Sequence, residues 1–475
     1  MRLRDLADID SDSEVTGFAL DHRKVVRGNV FGAFKGALFN GEDFIDEAVR
    51  HGAVAVVASP GATVSGAALL PDPEPRRLFA RMAAKFFGPY PETVVAVTGT
   101  NGKTSTVEMT RQLWRMAGHR SASIGTLGVT TSDDQVKTGL TTPDIVTFLS
   151  NVAGLRRMGI SHVAYEASSH GLDQYRAEGV PLSAVAFTNF SRDHLDYHGT
   201  MEAYFEAKMR LFGDVAQPGT PAVIWADDPK SSEVARRAAK RGLKVMTVGR
   251  GGDAIRLLDQ TPTPLGQALA IEHGGKAHRL ALPLIGAYQA SNVLVAAGLA
   301  LATGAEWDSV FSAMARLAPV RGRLERAVIS RDGAPVYVDY AHTPDAIEAA
   351  IAALRPHVEG KLITVFGAGG DRDQGKRAPM GEAASRLSDV VVVTDDNPRG
   401  EDAAAIRKAI LAGAPGGIEV AGRREAIARA IAMAQNGDII LLAGKGHETG
   451  QIIGAGKDQR ILPFDDALVA RECAA

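Results

Sequence analysis

The clearest chemical pattern in the sequence is a glycine-rich loop that directly follows a run of apolar β-formers at 94–97. The loop reads Gly99-Thr100-Asn101-Gly102-Lys103-Thr104-Ser105, and an amphipathic helix pattern begins within it. A strand, a glycine turn and a helix start in this order direct free backbone N–H groups and the helix dipole at one point. Lys103 adds a positive charge, and Thr104 adds a hydroxyl that can bind Mg²⁺. We therefore expect a nucleoside triphosphate site; the alternative is a glycine turn beside a solvated lysine.

A second set of polar side chains follows later strands of the same region. Glu166 ends the apolar run 162–165, and His194 lies in the polar segment 188–198 after the next apolar run. Ligand groups in open α/β sheets lie at the carboxyl ends of the strands. Glu166 and His194 could therefore hold Mg²⁺ through a carboxylate oxygen and an imidazole nitrogen. Taken alone, His194 is more typical of a hydrogen-bonded structural histidine.

A lysine interrupts the apolar face of the next predicted helix, at 201–212. Apolar side chains recur there at helical spacing, and Lys208 falls on the same stripe as Tyr204 and Phe205. Such a lysine either extends its amine to solvent or is desolvated with a lowered pKa. A neutral amine can react with CO₂ to give a carbamate, which is an anionic metal ligand. The spacing alone leaves both interpretations open.

Parallel strands are needed to bring these residues together, and the chain repeats a strand, loop and helix pattern that supplies them. Pro- and Gly-containing breaks at Gly88-Pro89-Tyr90-Pro91 and Ala318-Pro319-Val320 divide this pattern. We predict an α/β protein of three domains. They are an N-terminal α/β domain at 1–88, a central phosphate-loop ATPase-like domain with a parallel sheet at 89–319, and a Rossmann-like domain at 320–475.

Composition and charge argue against several classes of function. The 475 residues include 53 Lys and Arg against 55 Asp and Glu, a formal net charge of −2, so we expect neither nucleic-acid nor membrane-surface binding. The only cysteine, Cys473, allows neither a disulfide framework nor a cysteine metal site. The acidic N-terminal segment lacks a signal-peptide pattern, and the longest weakly polar run, 293–305, is shorter than the ~20 residues that span a bilayer. We expect a cytoplasmic monomer without membrane insertion.

The motifs together resemble those of the Mur ligase family across all three predicted domains. Beyond the phosphate loop, the matching segments are Glu166-Ala167-Ser168-Ser169-His170-Gly171-Leu172, Ser191-Arg192-Asp193-His194-Leu195-Asp196-Tyr197-His198-Gly199, Asp339-Tyr340-Ala341-His342-Thr343-Pro344-Asp345, Gly367-Ala368-Gly369-Gly370-Asp371-Arg372-Asp373, Asp396-Asn397-Pro398-Arg399 and Gly444-Lys445-Gly446-His447-Glu448. The resemblance implies a ligase that uses ATP and Mg²⁺ to build the stem peptide of peptidoglycan. It also implies that the first domain binds uridine.

The resemblance assigns residues to the nucleotide and metal sites. ATP contacts are implied for the loop residues 99–105 and for Asn292, Arg323 and Asp339. The implied metal ligands are Thr104, Glu166, His194 and Lys208, the last as N6-carboxylysine, which favours the carbamate interpretation. The implied catalytic residues are Lys103, Lys208 and His342, of which His342 would help to deliver a neutral amine. One departure from the family is Ala287-Tyr288-Gln289, where relatives often have Phe-Asn, and we give it little weight because Asn292 is present.

Two substrate sites follow from the same resemblance. The site for UDP-N-acetylmuramoyl-L-alanyl-D-glutamate comprises Asp21, His22, Arg23, Thr141, Thr142, Ser168, Gln174 and Arg176, with His22 where relatives usually have serine. The site for meso-2,6-diaminopimelate comprises Arg372, Asp396, Asn397, Pro398, Arg399, Gly444 and Glu448. Lysine-adding family members lack the arginine at 399, which can bind the second carboxylate of diaminopimelate. Asp396, Asn397 and Glu448 can bind the accompanying ammonium group. The alternative is a plain turn with a solvated Arg399.

The implied reaction is amide formation through an acyl phosphate, and three other functions are weighed against it. A sibling ligase such as folylpolyglutamate synthetase shares the phosphate loop and the metal region, but not the uridine-type first domain or Asp396-Asn397-Pro398-Arg399. A kinase that stops at phosphoryl transfer needs no third domain with an amine site. A non-catalytic nucleotide-binding module does not account for the set Lys103, Glu166, His194 and Lys208.

Overall fold

The computed structural model describes residues 1–36, 39–132, 134–136, 140–263 and 266–474. The chain divides into two compact units, the first formed by Met1–Val248 and Val295–Val310 and the second by Gly249–Leu294 and Phe311–Ala475. Both units contain mainly parallel sheets with helices between the strands, as the sequence pattern predicts. Within the described ranges, no helix is both long enough and apolar enough to cross a membrane.

The first unit begins with a small parallel sheet. Its strands, in spatial order, are β1 (Gly17–Ala19), β2 (Asn29–Gly32), β3 (Ala55–Ala58) and β4 (Ala68–Pro71), and its helices are α1 (Ile45–Arg50) and α2 (Pro75–Phe87). All residues of β2 and β3 are buried, because apolar clusters cover both faces of the sheet. Proline at the first turn of α2 supplies the backbone φ of a helix start.

The second sheet of this unit carries the phosphate loop. Its strands are β5 (Thr93–Thr98), β6 (Ser121–Gly125), β7 (Gly128–Thr130), β8 (Gln135–Val136), β9 (His162–Glu166), β10 (Ala184–Phe187), β11 (Pro221–Trp225) and β12 (Lys244–Gly249). Its helices are α3 (Lys103–Met116), α4 (Ile145–Arg157), α5 (Ser169–Asp173), α6 (Leu195–His198), α7 (Met201–Arg210) and α8 (Ser231–Lys240). The spatial order is β12-β11-β10-β5-β9-β6-β7-β8. The strands from β12 to β6 pair in parallel, and the pairs β6–β7 and β7–β8 are antiparallel. Because β9, β5 and β10 are parallel neighbours, their carboxyl ends meet at one edge of the sheet.

The helix that carries Lys208 is shorter than the predicted 201–212. The α-helix α7 ends at Arg210, and Leu211–Val215 continues as a single π-helical turn. The N–H of Ala216 closes this turn on the carbonyl of Leu211 (3.0 Å). Gly213 lies within the turn, where its low α-helical preference favours the change.

The second unit contains three sets of strands. They are the antiparallel β13 (Ile255–Thr263), β14 (Gly266–His273) and β15 (Lys276–Leu282); the main sheet of β16 (Glu325–Ile329), β17 (Pro335–Asp339), β18 (Leu362–Phe366), β19 (Val390–Val393), β20 (Ile418–Glu419) and β21 (Ile439–Ala443); and the hairpin of β22 (Gly450–Ile453) and β23 (Arg460–Pro463). The helices of this part of the chain are α9 (Ala287–Ala302), α10 (Trp307–Met314), α11 (Pro344–Leu354), α12 (Arg377–Leu387), α13 (Ala403–Leu411), α14 (Arg423–Met433) and α15 (Asp466–Ala474). The main sheet is ordered β16-β17-β21-β18-β19-β20 and is parallel except for β16. The loops after β18, β19 and β21 therefore lie side by side.

The borders of the units differ from those of the predicted domains. The first unit joins the small sheet to the phosphate-loop sheet, and the boundary between the units falls inside β12, α9 and α10. The second unit includes Gly249–Leu294, which the prediction places in the central domain. The three-domain division with borders at 88/89 and 319/320 stays a prediction.

Candidate active site

The phosphate loop closes tightly around its own lysine. Gly99 and Gly102 adopt positive φ values of 149° and 83°, and a side chain on Gly99 would collide with the Thr188 hydroxyl. Lys103 Nζ donates to the carbonyls of Gly99 (3.0 Å) and Thr100 (2.8 Å). Lys103 is the first residue of α3, and the N-terminus of a helix favours an anion through its backbone N–H groups and its dipole.

The segment after β10 holds this loop from outside. The backbone N–H of Asn101 donates to Asn189 Oδ1 (2.8 Å), and the N–H of Thr100 donates to the Asn189 carbonyl (2.8 Å). The Thr188 hydroxyl also donates to the carbonyl of Asn101 (2.6 Å). Neither Thr188 nor Asn189 was predicted as a site residue, although both lie in the polar run that contains His194.

Two predicted metal ligands meet at the end of β9. Glu166 is only 2% exposed, and its Oε1 accepts from the Thr104 hydroxyl (2.9 Å) and from the backbone N–H of Thr126 (2.7 Å). A Cβ at Gly125 would overlap Glu166 Oε1, so the glycine is needed for this approach. The predicted pair of Thr104 and Glu166 is therefore in direct contact.

Lys208 is buried rather than extended to solvent. It is 1% exposed, its Nζ donates to the Gly99 carbonyl (2.7 Å), and it lies 4.2 Å from the centre of the Tyr204 ring. Burial, together with the nearby charge of Lys103, lowers the pKa of Lys208 well below its ordinary value. Within the described ranges Lys208 forms no ion pair with a carboxylate. These properties fit an uncharged amine at the base of the phosphate loop.

His194 lies close to the same amines in an unusual backbone conformation. Its φ is 52°, and its Nε2 lies 3.5 Å from Asp193 Oδ2. Burial lowers its pKa to about 4, opposed by Asp193 and assisted by the neighbouring His170 and Lys103. A neutral imidazole is the form that binds a metal. In the part of the chain that is described, no three or more His, Cys, Asp or Glu side chains form a ready metal cluster, so a site here needs donors of other types.

The residues predicted to bind the muramoyl dipeptide form one hydrogen-bonded group beside Glu166. The Thr142 hydroxyl contacts the Glu166 carbonyl (2.8 Å) and the Ser168 hydroxyl (2.9 Å). Arg176 donates to the Thr142 carbonyl (3.1 Å) and to Gln174 Oε1 (2.5 Å). Thr141 joins the group through Thr126, with 3.1 Å between the two hydroxyl oxygens.

The predicted uridine-site residues lie in a short 3₁₀ turn between β1 and β2 and contact one another. Arg23 donates to both oxygens of Asp21 (2.9 and 2.8 Å), and these hydrogen bonds are the main reason that the pKa of Asp21 falls to about 2. The His22 ring stacks on Phe44 with 4.3 Å between centroids, and its Nε2 lies 3.2 Å from Glu47. His22 is thus held by contacts to Phe44 and Glu47, whereas the sequence alone showed only that histidine is unusual at this position.

Tyr288 and Gln289, which depart from the family pattern, contact the residues of the second unit that are predicted to bind ATP. These predicted residues are Asn292, Arg323 and Asp339. Gln289 donates to the Arg323 carbonyl (3.2 Å) and accepts from Asn292 Nδ2 (3.3 Å). The Tyr288 hydroxyl lies 3.5 Å from Asp339 Oδ2, which also accepts from the backbone N–H of Leu324 (2.8 Å). Burial is the main cause that raises the pKa of Asp339. Sequence reasoning gave Tyr288 and Gln289 little weight, but the structure places them against all three candidates.

His342 is oriented by its own backbone. Its Nδ1 lies 2.8 Å from the Tyr340 carbonyl, and its ring lies 4.7 Å from the Tyr340 ring. If Nδ1 carries the proton of this hydrogen bond, Nε2 is the nitrogen that can accept one.

The loops after β18, β19 and β21 bring most of the predicted diaminopimelate residues together. Asn397 Nδ2 donates to Glu448 Oε2 (2.9 Å), and Arg399, at a φ of 51°, donates to the Gly370 carbonyl (2.9 Å). A Cβ at Gly444 would come within 2.6 Å of Asp396 Oδ2. Pro398 lies against Gly370 across the two loops, whereas Arg372 is exposed.

A buried lysine that the sequence analysis did not select lies under this group. Lys445 is fully buried, and its Nζ donates to Asn397 Oδ1 (2.9 Å) and to Glu448 Oε2 (2.9 Å). The available signal was its place in a glycine-rich loop directly after a fully apolar strand, which is also the position of Lys103 in the first unit.

Comparison with known proteins agrees with this geometry. The model of the Mur ligase middle domain matches residues 97–300, and that of the Mur ligase glutamate ligase domain matches residues 322–446. The UDP-N-acetylmuramoyl-L-alanyl-D-glutamate–2,6-diaminopimelate ligase of Zymomonas mobilis is 58% identical over 463 residues, which cover 98% of this chain and 95% of the relative. The chain belongs to the Mur ligase family.

Solved Mur ligase structures agree in fold with this family member. A solved UDP-N-acetylmuramoyl-L-alanyl-D-glutamate–2,6-diaminopimelate ligase superposes with a TM-score of 0.72 at 30% identity, covering 100% of this chain and 98% of that one. The folylpolyglutamate synthase of Mycobacterium tuberculosis, solved with ADP and AMPPCP, reaches a TM-score of 0.63 at 21% identity, covering 77% of this chain and 92% of that one. The second likeness is one of fold alone. The predicted α/β Mur ligase fold is confirmed, and the roles of individual site residues stay predictions.

Proposed function

We propose that this Mur ligase uses ATP to join meso-2,6-diaminopimelate to the D-glutamate γ-carboxylate of UDP-N-acetylmuramoyl-L-alanyl-D-glutamate. The relative at 58% identity bears the name of this ligase over nearly the full length. The observation that carries the proposal is the cluster after β18, β19 and β21, where Arg399 accompanies Asn397 and Glu448. A guanidinium beside carboxylate and amide oxygens suits the distal end of diaminopimelate, which carries both a carboxylate and an ammonium group.

The phosphate loop supplies the activating half of the reaction. A carboxylate does not react with an amine in water unless it is first activated. The γ-carboxylate oxygen forms a bond to the γ-phosphorus of ATP, the bond from that phosphorus to ADP breaks, and an acyl phosphate results. Both reactants are anions, so Lys103 and the N–H groups at the start of α3 lower the barrier by neutralising charge.

The donors around Glu166 fit Mg²⁺. Thr104 and Glu166 offer buried oxygens in mutual contact, and His194 offers a neutral imidazole nitrogen. When bound, Mg²⁺ would screen the negative charge of the phosphates. We assign its ligands as Thr104, Glu166, His194 and carbamoylated Lys208.

Lys208 has the chemical state that carbamate formation requires. In its uncharged form, Nζ can attack the carbon of CO₂, so that an N–C bond forms and the amine releases a proton to solvent. The product is an N6-carboxylate next to Gly99, where it adds negative charge near the phosphate loop. The burial that lowers the pKa of Lys208 favours this reaction, because a protonated amine has no lone pair to donate.

The amine half of the reaction belongs to the second unit. Arg399 binds the distal carboxylate, and Asp396, Asn397 and Glu448 bind the distal ammonium. The other amine attacks the acyl carbon, the amide C–N bond forms and phosphate leaves. We assign His342 Nε2 as the group that takes the proton from this amine.

Phosphate release from ATP tests the proposal. Purified protein is given UDP-N-acetylmuramoyl-L-alanyl-D-glutamate with meso-diaminopimelate or L-lysine in parallel, and the product mass is measured. We expect release and a tripeptide product only with diaminopimelate. Equal activity with lysine would refute the proposed specificity for diaminopimelate. ATP consumption without any amine would favour a kinase. Inactivity with both amines would favour a sibling ligase such as folylpolyglutamate synthetase. The cytoplasmic location and the monomeric state stay predictions.

A further inference from the structure

Lys445 is a buried charge that the proposed reaction does not yet use. It follows β21, has no exposed surface, and pairs with Glu448 Oε2 and Asn397 Oδ1 at 2.9 Å each. Asp396 Oδ1 lies 4.0 Å from its Nζ. Removing an ammonium from water is unfavourable unless its partners compensate. All three partners of Lys445 are residues assigned to the ammonium of diaminopimelate.

The hydrogen bonds around Glu448 fix which of its oxygens is left for a ligand. Oε2 accepts from both Lys445 Nζ and Asn397 Nδ2, at 2.9 Å each. Oε1 accepts no hydrogen bond from the described residues, and the side chain is 30% exposed, whereas Lys445 is enclosed. One oxygen is thus held inside the protein and the other faces the site.

Asn397 is oriented by the same lysine. Its Oδ1 accepts from Lys445 Nζ and from the backbone N–H of Ile452 (2.9 Å), so its Nδ2 must point to Glu448. The amide cannot rotate by half a turn without facing two donors with its own N–H groups. Lys445 therefore sets the direction of both side chains.

We propose that Lys445 is a positioning residue for amino-acid specificity, because it holds Glu448, both directly and through Asn397, in the orientation that leaves Oε1 for the distal ammonium group of the added amino acid. This inference rests on the proposed function. Lys445 does not touch the substrate itself, because it is enclosed and carries the same charge as the ammonium.

The test compares two amino acids that differ only in that ammonium. 2-Aminopimelate keeps the reacting amine and both carboxylates but lacks the second amine. We measure kcat/KM for both amino acids with the full-length wild type, with Lys445→Met, Lys445→Gln and Lys445→Arg, and with Lys408→Gln as an exposed-lysine control on α13. We expect kcat/KM for diaminopimelate to fall about tenfold or more in Lys445→Met, with a smaller loss in Lys445→Gln. The values for 2-aminopimelate and the KM for ATP should change less than about twofold.

The outcomes separate this inference from the proposed function. Lys445→Arg keeps the charge and the N–H donors, so it should keep more of the preference for diaminopimelate than Lys445→Gln does. Equal losses for both amino acids would show a general structural role and overturn the inference. If Lys445→Met does not fold, as judged by circular dichroism, the Gln and Arg variants decide the matter in the same way. A wild type that cannot ligate diaminopimelate at all would refute the proposed function first.

Discussion

At the scale of single residues, burial decides the chemistry of side chains that the sequence shows only as polar. Lys208 and Lys445 are both enclosed, but their partners differ. Lys445 faces the carboxylate of Glu448 at 2.9 Å, whereas Lys208 faces the neutral carbonyl of Gly99. Low dielectric surroundings disfavour a charge without a counter-charge, so burial lowers the pKa of Lys208 and favours its uncharged form. The same residue type is thereby a reactive amine in one place and a structural cation in the other.

Replacing Lys208 by methionine should change how stability depends on pH. The folded-state pKa of Lys208 is lowered, so above that pKa the unfolded chain binds one proton more than the folded one, and stability rises with pH until about 10.4. In CO₂-free buffer, we expect the free energy of unfolding of the wild type to rise more steeply with pH than that of Lys208→Met at pH values below about 10.4, by at most ~1.4 kcal/mol per pH unit. Urea unfolding at these pH values measures the difference. Parallel pH curves for the two proteins would contradict a neutral Lys208.

Replacing Arg399 by alanine should impair the use of diaminopimelate selectively. A hydrogen-bonded contact with a charged group contributes about 1.5–3 kcal/mol, which corresponds to a rise of about 10- to 100-fold in KM for diaminopimelate. The KM for ATP should stay within about twofold. Arg386→Ala, which removes an exposed arginine that pairs with Glu348, serves as the control. An unchanged KM for diaminopimelate in Arg399→Ala would remove Arg399 from the site.

At the scale of elements, the amino-acid cluster depends on how closely the loops after neighbouring strands approach each other. The loop after β18 passes the loop after β19 at Gly370, where a Cβ would overlap the carbonyl of Pro398. The Pro398 carbonyl is part of the backbone and a Cβ is bonded directly to it, so neither group can rotate away from the other. Asn397 and Arg399 flank this contact, and their positions therefore depend on the absence of a side chain at 370.

Gly370→Ala should weaken both the fold and the site. Overpacking of this kind typically costs 1–3 kcal/mol, and we expect a loss of about that size in the free energy of unfolding. The KM for diaminopimelate should rise as the loops separate. Gly416→Ala in the same unit is the matched control, because a Cβ there meets nothing within 4 Å. If the two variants proved equally stable in urea, the close approach would not be a constraint.

At the scale of the whole molecule, acid should destabilise the protein through histidines that are buried without charge. His162, at the start of β9, has a pKa lowered to about 4, first by burial and then by the charge of His119. The unfolded chain binds this proton near pH 6.5, so stability is lost as the pH falls from about 6.5 to about 4. His162→Gln should flatten this part of the curve, whereas the exposed His51→Gln should not. Urea unfolding at pH 7, 5.5 and 4.5 would reveal the difference, and a His162→Gln curve as steep as the wild type would rule the histidine out.

Much of the architecture could be predicted because its signals are local. The apolar runs at 362–366 and 390–393 form β18 and β19 with the same bounds, and the loop from Gly99 to Ser105 lies between a strand and a helix as expected. Strands β13 to β15 were not predicted, although buried and exposed positions partly alternate along them as in a half-exposed sheet. They pair as consecutive antiparallel hairpins, so the signal that was missed is a local one. The parallel pairing of β5 with β9 and β10 is different, because it joins residues far apart in the chain that no short window contains.

The sequence by itself determined the phosphate loop, the α/β class and the family, because each depends on residue types at fixed local spacing. Only the tertiary structure decided that Lys208 is enclosed, that Lys445 holds Asn397 and Glu448, and that Gln289 links Asn292 to Arg323. These outcomes depend on burial and on contacts between segments far apart in the chain. Solvent exclusion sets the charge of a lysine, and strand order sets its neighbours, so neither can be read from the residue type alone.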